Sequence, residues 1–364
     1  MKFSVQNSVI RQGFATASTV IGRAMIPILN NLKLELNGNT LSITGSNVEQ
    51  TIVTTIEVRG ESDGAGTMPA KKMLALLGSI APNTDVSIEI DPETSHCSIA
   101  AGTGKYRLLG LPADDFPMPH LTSVPFTVYN LANDRFQRMV REVKSACAVN
   151  DTRVVLNGVA LHFLDGNAMN VIATDGKRLA LSHTESRGDN ASAVKLVIVP
   201  PSAIPAVTKL ANTEIEISVA EKLIKFADGT TTVYSKLTEG QYPNYNAVIP
   251  ASFKSYSKVS ADVVRSIVSM LLAVSDDATV HVEFSNDKIF FQAESASTGS
   301  GTDAADAGSN CYDPVKVRVN ARYLLDAITD SDETITFRIN DGNTPLIVER
   351  SEHSKTVIMP IRMK

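Results

Sequence analysis

One stretch of the sequence resembles the end of a phosphate-binding loop. It is Gly102-Thr-Gly-Lys105, in which a glycine precedes a lysine. A phosphate loop also needs a glycine five residues before that second glycine, and a serine or threonine directly after the lysine. Ile99 and Tyr106 occupy those two positions. The stretch therefore predicts a turn and not a nucleotide site.

The other residues that could support catalysis or bind a metal are isolated or belong to turns. Asp114-Asp115 lies between two prolines, where paired acids commonly cap a turn. The three cysteines and six histidines form no pair with ligand spacing, and there is no nucleophile motif of the Gly-x-Ser-x-Gly type. We expect Cys97, Cys147 and Cys311 to be small buried thiols. No catalytic residue, metal site or cofactor is predicted.

The stretch Ala173-Thr-Asp-Gly-Lys-Arg-Leu-Ala-Leu-Ser182 is typical of a hairpin. Asp-Gly between apolar runs favours a tight turn, because glycine tolerates the positive φ that such turns require. The turn continues at once into Lys177, Arg178 and Leu179. A comparable strand–turn–strand stretch at 43–52 has no Lys-Arg-Leu. The fold therefore does not require these three residues, which favours a binding role.

Composition limits the class of protein. The chain has 364 residues, is 43% hydrophobic and 20% charged, and carries a net charge of −5. These values predict a globular protein of two or three domains that is not basic overall, although a local basic surface could still attract nucleic acid. There is no apolar run of about 18 residues and no signal-peptide pattern at the start, so we expect a cytoplasmic protein without a membrane span.

A weak pattern recurs three times along the chain. Phe3-Ser-Val5, Phe126-Thr-Val128 and Tyr256-Ser-Lys-Val259 each precede an amphipathic helical pattern, and alternating strands follow. A second helix is expected in each unit, at 69–80, 201–210 and 320–329. The repeat predicts three α+β domains with largely antiparallel sheets, at 1–124, 125–252 and 253–364. The small, polar segment 295–310 is expected to be a flexible surface loop.

The first helix of each repeat has a polar to basic outer face. In the second repeat, Phe136, Met139, Val140, Val143 and Cys147 form the apolar stripe, and Arg138 and Arg141 lie opposite. In the first repeat, the apolar stripe is Ile10, Phe14, Ala17 and Ile21. In the third repeat, Val264, Ile267, Val268 and Leu271 are apolar and Arg265 points outward. A solvated helix face explains any single case. Three such faces with few acids in an acidic protein favour sequence-independent attraction to phosphates.

Several motifs together resemble the bacterial β sliding clamp family, the processivity subunits of replicative DNA polymerase, over the whole chain. The motifs are Leu156-Asn-Gly158, Ala173-Thr-Asp-Gly-Lys-Arg-Leu-Ala180, Ser235-Lys-Leu237, Tyr242-Pro-Asn-Tyr245, Val248-Ile-Pro250 and Val357-Ile-Met-Pro-Ile-Arg362. The resemblance implies three similar clamp domains per chain. Two chains would close head to tail as a dimeric ring, with the sheets outside and two helices per domain inside, around double-stranded DNA.

The resemblance also implies a hydrophobic cleft that binds short linear peptides of the DNA polymerase catalytic subunit, the clamp loader and repair proteins. Matched by motif, one part of the cleft would comprise Thr174, Gly176, Lys177, Arg178, Leu179, Pro243 and Val248. The other part would comprise Arg153, Leu156, Tyr323, Pro345, Val357, Met359 and Ile361. Lys177 stands where the family often has histidine, and Val155 stands where an aromatic residue is frequent.

For contact with DNA, the resemblance points to Arg23 and Asn150, and the helix faces add Arg138, Arg141 and Arg265. An interface between chains is expected at Tyr106 on one side and at Leu271 and Leu272 on the other, although Leu271 also fits the core stripe of its helix. Two alternatives remain open. One is a monomeric peptide-binding scaffold that never encircles DNA, and the other is a metabolic or hydrolytic enzyme built on repeated α+β domains.

Overall fold

The structure is a computed structural model that describes residues 1–22, 26–118, 127–165, 168–184, 195–328 and 333–362. Alternating apolar residues form the strands, and residues with helical spacing form the helices between them. In residues 1–118 the elements are β1 (Lys2–Gln6), α1 (Asn7–Ala17), β2 (Asn31–Asn37), β3 (Thr40–Ser46), β4 (Gln50–Glu57), β5 (Arg59–Ser62), β6 (Gly64–Pro69), α2 (Ala70–Ser79), β7 (Asp85–Ile90), β8 (His96–Ala101) and β9 (Gly104–Leu109).

The order of one strand, a helix, several strands, a second helix and three strands returns twice, although the number of described strands between the helices is five, four and five. Residues 127–237 contain β10 (Thr127–Ala132), α3 (Asn133–Val143), β11 (Val159–Phe163), β12 (Met169–Thr174), β13 (Arg178–His183), β14 (Lys195–Val199), α4 (Ile204–Val207), β15 (Glu214–Val219), β16 (Leu223–Ala227) and β17 (Thr231–Lys236). Residues 238–362 contain β18 (Ser255–Ser260), α5 (Ala261–Val274), β19 (Thr279–Phe284), β20 (Lys288–Ser295), β21 (Gly299–Asp306), β22 (Gly308–Ser309), β23 (Val315–Asn320), α6 (Ala321–Asp326), β24 (Thr334–Ile339), β25 (Leu346–Ser351) and β26 (Ser354–Ile358).

The chain forms two compact units, and the middle repeat contributes to both. Unit 1 comprises 1–136 and 199–237, and unit 2 comprises 137–198 and 238–364. Unit 1 holds a sheet of order β5-β1-β7-β8-β9 and a sheet of order β10-β15-β16-β17-β4-β3-β2-β6. Unit 2 holds sheets of order β14-β11-β12-β13-β26-β25-β24-β18-β22 and β21-β20-β19-β23. Neighbouring strands pair antiparallel, for example β4 with β17 and β13 with β26, which confirms the prediction of an α+β fold with antiparallel sheets.

Helices α1 and α5 bury the apolar stripes that their sequences predict. Ile10, Phe14 and Ala17 are buried in α1, and Val264, Ile267, Val268 and Leu271 are buried in α5. At the start of α1, the amide of buried Asn7 donates to the carbonyl oxygens of Leu77 and Ile80 at 3.0 and 2.8 Å. Asn133 at the start of α3 donates in the same way to Leu210 and Asn212. The repeat thus extends to individual hydrogen bonds.

Two predicted helices are shorter than expected. The segment 201–210 contains only the four-residue α4, because Pro201 and Pro205 supply no backbone N–H and are accepted only near a helix start. Helix α6 covers 321–326, and the Asn320 side chain caps it by accepting from the Arg322 N–H at 2.9 Å. The predicted last residue of this helix, Thr329, lies outside the described residues.

The prediction of a flexible loop at 295–310 is wrong. Most of this segment is β21 and β22, and β21 pairs with β20 from Ser295↔Gly299 to Lys288↔Asp306. At Gly301 the strand needs a small residue because α5 lies against it there. A Cβ atom at Gly301 would come within 2.9 Å of the Leu271 side chain. Backbone pairing needs no large side chains, so a composition typical of a loop is compatible with a strand here.

No helix within the described ranges is long and apolar enough to cross a membrane. The cysteines are unpaired thiols. Cys97 and Cys311 are buried and Cys147 is half-buried, close to what the sequence predicts. Burial raises the pKa of the Cys147 thiol to about 12 and that of Cys97 to about 11, so both are protonated and unreactive at neutral pH.

Candidate functional site: an apolar cleft in unit 2

The predicted hairpin at 173–182 is confirmed, and its turn is held by its own side chains. Gly176 at the turn has a φ of +85°, a value that suits glycine. The Asp175 carboxylate accepts from the N–H groups of Lys177 and Arg178 at 2.8 and 2.9 Å. The Thr174 hydroxyl donates to the Arg178 carbonyl and accepts from the Gly176 N–H. These four bonds fix the backbone of the turn.

Arg178 connects this turn to two other parts of unit 2. Its guanidinium pairs with Asp175 at 3.2 Å and with Asp326 of α6, and it donates to the Ser145 carbonyl. Its Cζ lies 4.3 Å from the centre of the Tyr323 ring, a cation–π contact. The side chain is only 9% exposed. A buried charge with this many partners mainly holds the structure together.

Beside the turn lies a cleft of about 200 Å³. The end of β26 forms one wall through Val357 and Met359, and Leu179 of β13 is paired directly with Val357. The segment 243–248 and the short turn at 153–156 complete the lining. The lining residues are Arg153, Leu156, Thr174, Gly176, Arg178, Leu179, Pro243, Asn244, Tyr245, Val248, Val357 and Met359.

Both apolar and charged groups form the cleft. Met359 and Val248 are 41% and 40% exposed, which is high for large apolar side chains. An open, apolar depression of this kind can accept apolar side chains of a partner. Methionine adds adaptability, because its flexible thioether repacks around different shapes.

Arg153 forms a charged edge of the cleft. Its guanidinium pairs with Asp151 at 2.9 Å and lies over the turn, where a Cβ atom on Gly176 would come within 3.2 Å of it. The hydrogen bond from the Arg153 side chain is the largest cause that lowers the pKa of Asp151 to about 2. Asp151 is therefore ionised at neutral pH and neutralises Arg153.

Tyr245 fixes the segment 243–248 that closes the cleft. Its hydroxyl lies 2.7 Å from His162 Nδ1 and accepts from the Asn170 amide at 2.9 Å. Burial lowers the pKa of His162, so this ring favours its neutral form. The sequence prediction omitted Asn244 and Tyr245 as lining residues. The quoted motif Tyr242-Pro-Asn-Tyr245 contained both, so adjacency to Pro243 was the available signal.

Four residues predicted for the cleft lie outside this lining. Lys177 is exposed at the turn and its carbonyl oxygen accepts from the Met359 N–H at 3.0 Å. Tyr323 stacks under Arg178, and Pro345 is half-buried directly before β25. Ile361 is half-buried, and its N–H donates to the Arg318 carbonyl at 2.7 Å. Their role in binding stays a prediction.

The residues predicted to contact DNA have different environments. Arg138 and Arg141 are exposed on α3, opposite its buried stripe, and Asn150 is exposed with a φ of +54°. Arg265 is half-buried and pairs with Asp262 on its own helix, so part of its charge is neutralised. Arg23 lies outside the described residues.

The residues predicted for an interface between chains also differ in exposure. Tyr106 on β9 is 44% exposed. Leu271 is buried in the core of unit 2, and Leu272 is partly buried against that core. Leu271 therefore behaves as the core residue that its helical stripe indicates. In the stretch Gly102-Thr-Gly-Lys105, Gly102 and Thr103 form the turn between β8 and β9, with Gly102 at a φ of +56°, and Gly104 and Lys105 begin β9.

Comparisons with known proteins cover the whole chain. Family models of the DNA polymerase III beta subunit match in order, the N-terminal domain at 1–122, the central domain at 130–244 and the C-terminal domain at 246–362. The predicted boundaries at 124 and 252 stay predictions. The beta sliding clamps of Pseudomonas aeruginosa and Vibrio cholerae are 26% and 25% identical, each over 100% of both chains.

Solved structures agree with this match. The crystal structure of the P. aeruginosa sliding clamp bound to griselimycin is 25% identical, covers 100% of both chains and has a TM-score of 0.93. The threefold repeat, the hairpin motif and the matches along the chain lead to one assignment. The chain belongs to the DNA polymerase III beta subunit family, the β sliding clamps, which serve DNA replication as non-catalytic processivity factors.

Proposed function

We propose that two copies of this chain close head to tail into a ring around double-stranded DNA in the cytoplasm. The ring would tether the polymerase catalytic subunit through the apolar cleft of unit 2. The observation that carries this proposal is the cleft itself, a preformed apolar depression in a chain of a non-catalytic family. Because the family is non-catalytic, the enzyme alternative is set aside.

Two sheet edges that have no further strand among the described residues support ring closure. Strand β9 ends one sheet of unit 1, with Tyr106 and Leu109 44% and 63% exposed. Strand β21 ends one sheet of unit 2. An exposed strand edge offers unpaired N–H and C=O groups to another strand. We propose that β9 of one copy pairs with β21 of the next, in a heterologous contact that closes after two copies.

The helix surfaces support DNA passage. Arg138, Arg141 and Lys144 are exposed together along α3 and the turn after it. Such cations attract phosphates without reading bases, and the attraction weakens as salt rises. A topological link does not need tight contacts, so weak backbone attraction suits a ring that slides.

The cleft is proposed to bind short linear peptides of polymerases, the clamp loader and repair proteins. Apolar anchors of a peptide would enter between Leu179, Val357 and Met359. The structure of the P. aeruginosa relative with griselimycin is consistent with a ligand-binding surface in the family.

Ring formation is tested by mass in solution together with retention on DNA. We expect a dimer of about twice 39.0 kDa in light scattering. After loading, it should stay on nicked circular DNA and be lost once that DNA is linearised. A monomer that leaves both DNAs equally fast would support the scaffold alternative and refute the ring.

A further inference from the structure

We propose that His183 and His353 form a binding site for one zinc ion in unit 2. The site is independent of the ring and of the apolar cleft, because His183 ends β13 and the turn beside the cleft precedes that strand. Spacing along the sequence does not indicate it, since 170 positions separate the two histidines.

Strand pairing brings the two histidines together. Ser182 of β13 is directly opposite Ser354 of β26, and the ladder continues with His183 and His353, where the His183 N–H donates to the His353 carbonyl oxygen at 2.8 Å. The His353 N–H donates to the Ser351 hydroxyl at 3.2 Å within the turn between β25 and β26. Directly opposed residues of antiparallel strands have neighbouring side chains on one face. The backbone therefore holds both imidazoles at one place before a ligand arrives.

The distance between the two rings fits zinc. His183 Nε2 lies 3.4 Å from His353 Nδ1. Zinc binds imidazole nitrogen at about 2.0–2.1 Å, so an ion that contacts both nitrogens would have an N–Zn–N angle of about 110°, the tetrahedral value that zinc prefers. A square-planar or octahedral ion with bonds of the same length has neighbouring ligands at about 90° and would need the nitrogens about 2.9 Å apart.

A hydrogen bond between the rings explains their arrangement less well. Hydrogen bonds from N–H donors usually span about 2.7–3.2 Å, and the distance here is 3.4 Å. The ring centres are 5.0 Å apart and the ring planes differ by 80°. This separation is less than the distance between the nitrogens plus two ring radii, so the rings are bent toward each other. A bent arrangement suits two lone pairs that meet at one ion, whereas a straight hydrogen bond needs the rings in line.

Solvent would supply the remaining ligands of the ion. Both histidines are half-buried, so water reaches the outer side of the pair. In the part of the chain that the structure describes, no third histidine, cysteine or carboxylate joins them in a cluster. Two histidines and two waters make an open site, unlike the closed sites of structural zinc. A bound ion would link the end of β13 to the turn between β25 and β26, and would stabilise the folded chain.

Titration calorimetry of the untagged protein with Zn²⁺ tests the site. We expect one ion per chain. His183→Gln and His353→Gln should each lower the affinity at least about tenfold, since loss of even an outer-shell partner of a metal site costs that much. The matched control His281→Gln, which removes an exposed histidine from β19 of the same unit, should leave the affinity unchanged.

Thermal unfolding provides a second measurement. Zn²⁺ at roughly ten times its Kd should raise the Tm of the wild-type protein by about 2–4 °C. The same concentration should raise the Tm of His353→Gln by less, and Mg²⁺ should raise neither, because it prefers oxygen ligands.

Three results would overturn the proposal. Equal zinc affinity in wild-type protein and in both pair variants would place the ion elsewhere. Absence of zinc binding by wild-type protein at millimolar concentrations would leave the pair as a contact between two histidines. An equal loss of affinity in His281→Gln would show that the ion does not depend on the pair. If circular dichroism shows that His183→Gln does not fold, His353→Gln decides the result, because its substitution lies in a turn.

Discussion

The turn at 46–50 in unit 1 and the turn at 174–178 in unit 2 share one hydrogen-bond pattern. Ser46 and Thr174 each donate to the carbonyl four residues on. Asn47, like Asp175, accepts from the N–H groups two and three residues later. Both turns thus have the same backbone design, and only the side chains around them differ.

The side chains give the two turns different surfaces. Beyond the turn, unit 1 has the solvated ion pair Glu49–Lys236, and unit 2 has Lys177 opposite the exposed thioether of Met359. Buried Gln50 in unit 1 bonds to Ser202, and buried Arg178 in unit 2 reaches Asp326. A duplicated hairpin therefore becomes a candidate binding wall through a few substitutions, without a change of fold.

The largest expected difference between the two turns is in stability. Arg178→Ala should lower the free energy of unfolding by about 3 kcal/mol, because it leaves Asp175 and the Ser145 carbonyl without their buried partner. Gln50→Ala should cost about 1 kcal/mol, as for one neutral hydrogen-bonded group. Urea unfolding of both variants measures this. Equal losses would show that Arg178 is not the structural centre of its turn.

The next difference concerns binding. Met359→Ala should weaken the binding of a short leucine-containing peptide to the cleft by roughly 1–3 kcal/mol, as for a contact at the centre of an interface. Its counterpart in unit 1, Lys236→Ala, should leave the affinity unchanged. Titration calorimetry on both variants measures the contrast. If Lys236→Ala lowers the affinity and Met359→Ala does not, the peptide binds at the turn of unit 1 and not at the cleft of unit 2.

A third difference is backbone strain at the middle of the turns. Val48 has a φ of +76°, close to the +85° of Gly176, yet valine is β-branched and strained there. Val48→Gly should therefore stabilise the protein by about 1 kcal/mol, and Gly176→Val should destabilise it by at least about 1 kcal/mol. Thermal unfolding of the two variants checks the opposite signs. A destabilised Val48→Gly would mean that contacts of the valine outweigh the strain.

The smallest effect is expected for the ion pair of unit 1. Glu49 and Lys236 are 64% and 50% exposed at their side chains, so Glu49→Ala should change stability by less than about 0.5 kcal/mol. A double-mutant cycle with Lys236→Ala isolates the pair. A coupling energy well above 1 kcal/mol would show that the Glu49–Lys236 ion pair contributes to stability. Unit 2, which lacks this pair, would then need another stabilising contact at the same place.

Much of the fold could be predicted from the sequence because its signals are local. The stripe Ile10, Phe14 and Ala17 and the hairpin at 173–182 depend on periodicity and turn chemistry, and both are confirmed. The segment 295–310 was mispredicted because β21 is held by backbone pairing with β20, which needs no large side chains, and because α5 leaves no room for a side chain at Gly301. The helix predicted at 201–210 is longer than α4 because the prediction followed the repeat and did not allow for Pro201 and Pro205.

For the candidate site, the sequence by itself determined the residue types. Motifs in the sequence contain Gly176, Leu179, Val357 and Met359, and the resemblance to a family predicts that these residues line a peptide-binding cleft. Only the tertiary structure decided which of them share a surface, because β13 and β26 meet through pairing across nearly 180 residues of sequence. It also showed that Arg178 is committed to ion pairs, that Leu271 is buried in the core, and that Tyr245 closes the cleft. These facts depend on partners brought together by folding, which no local pattern encodes.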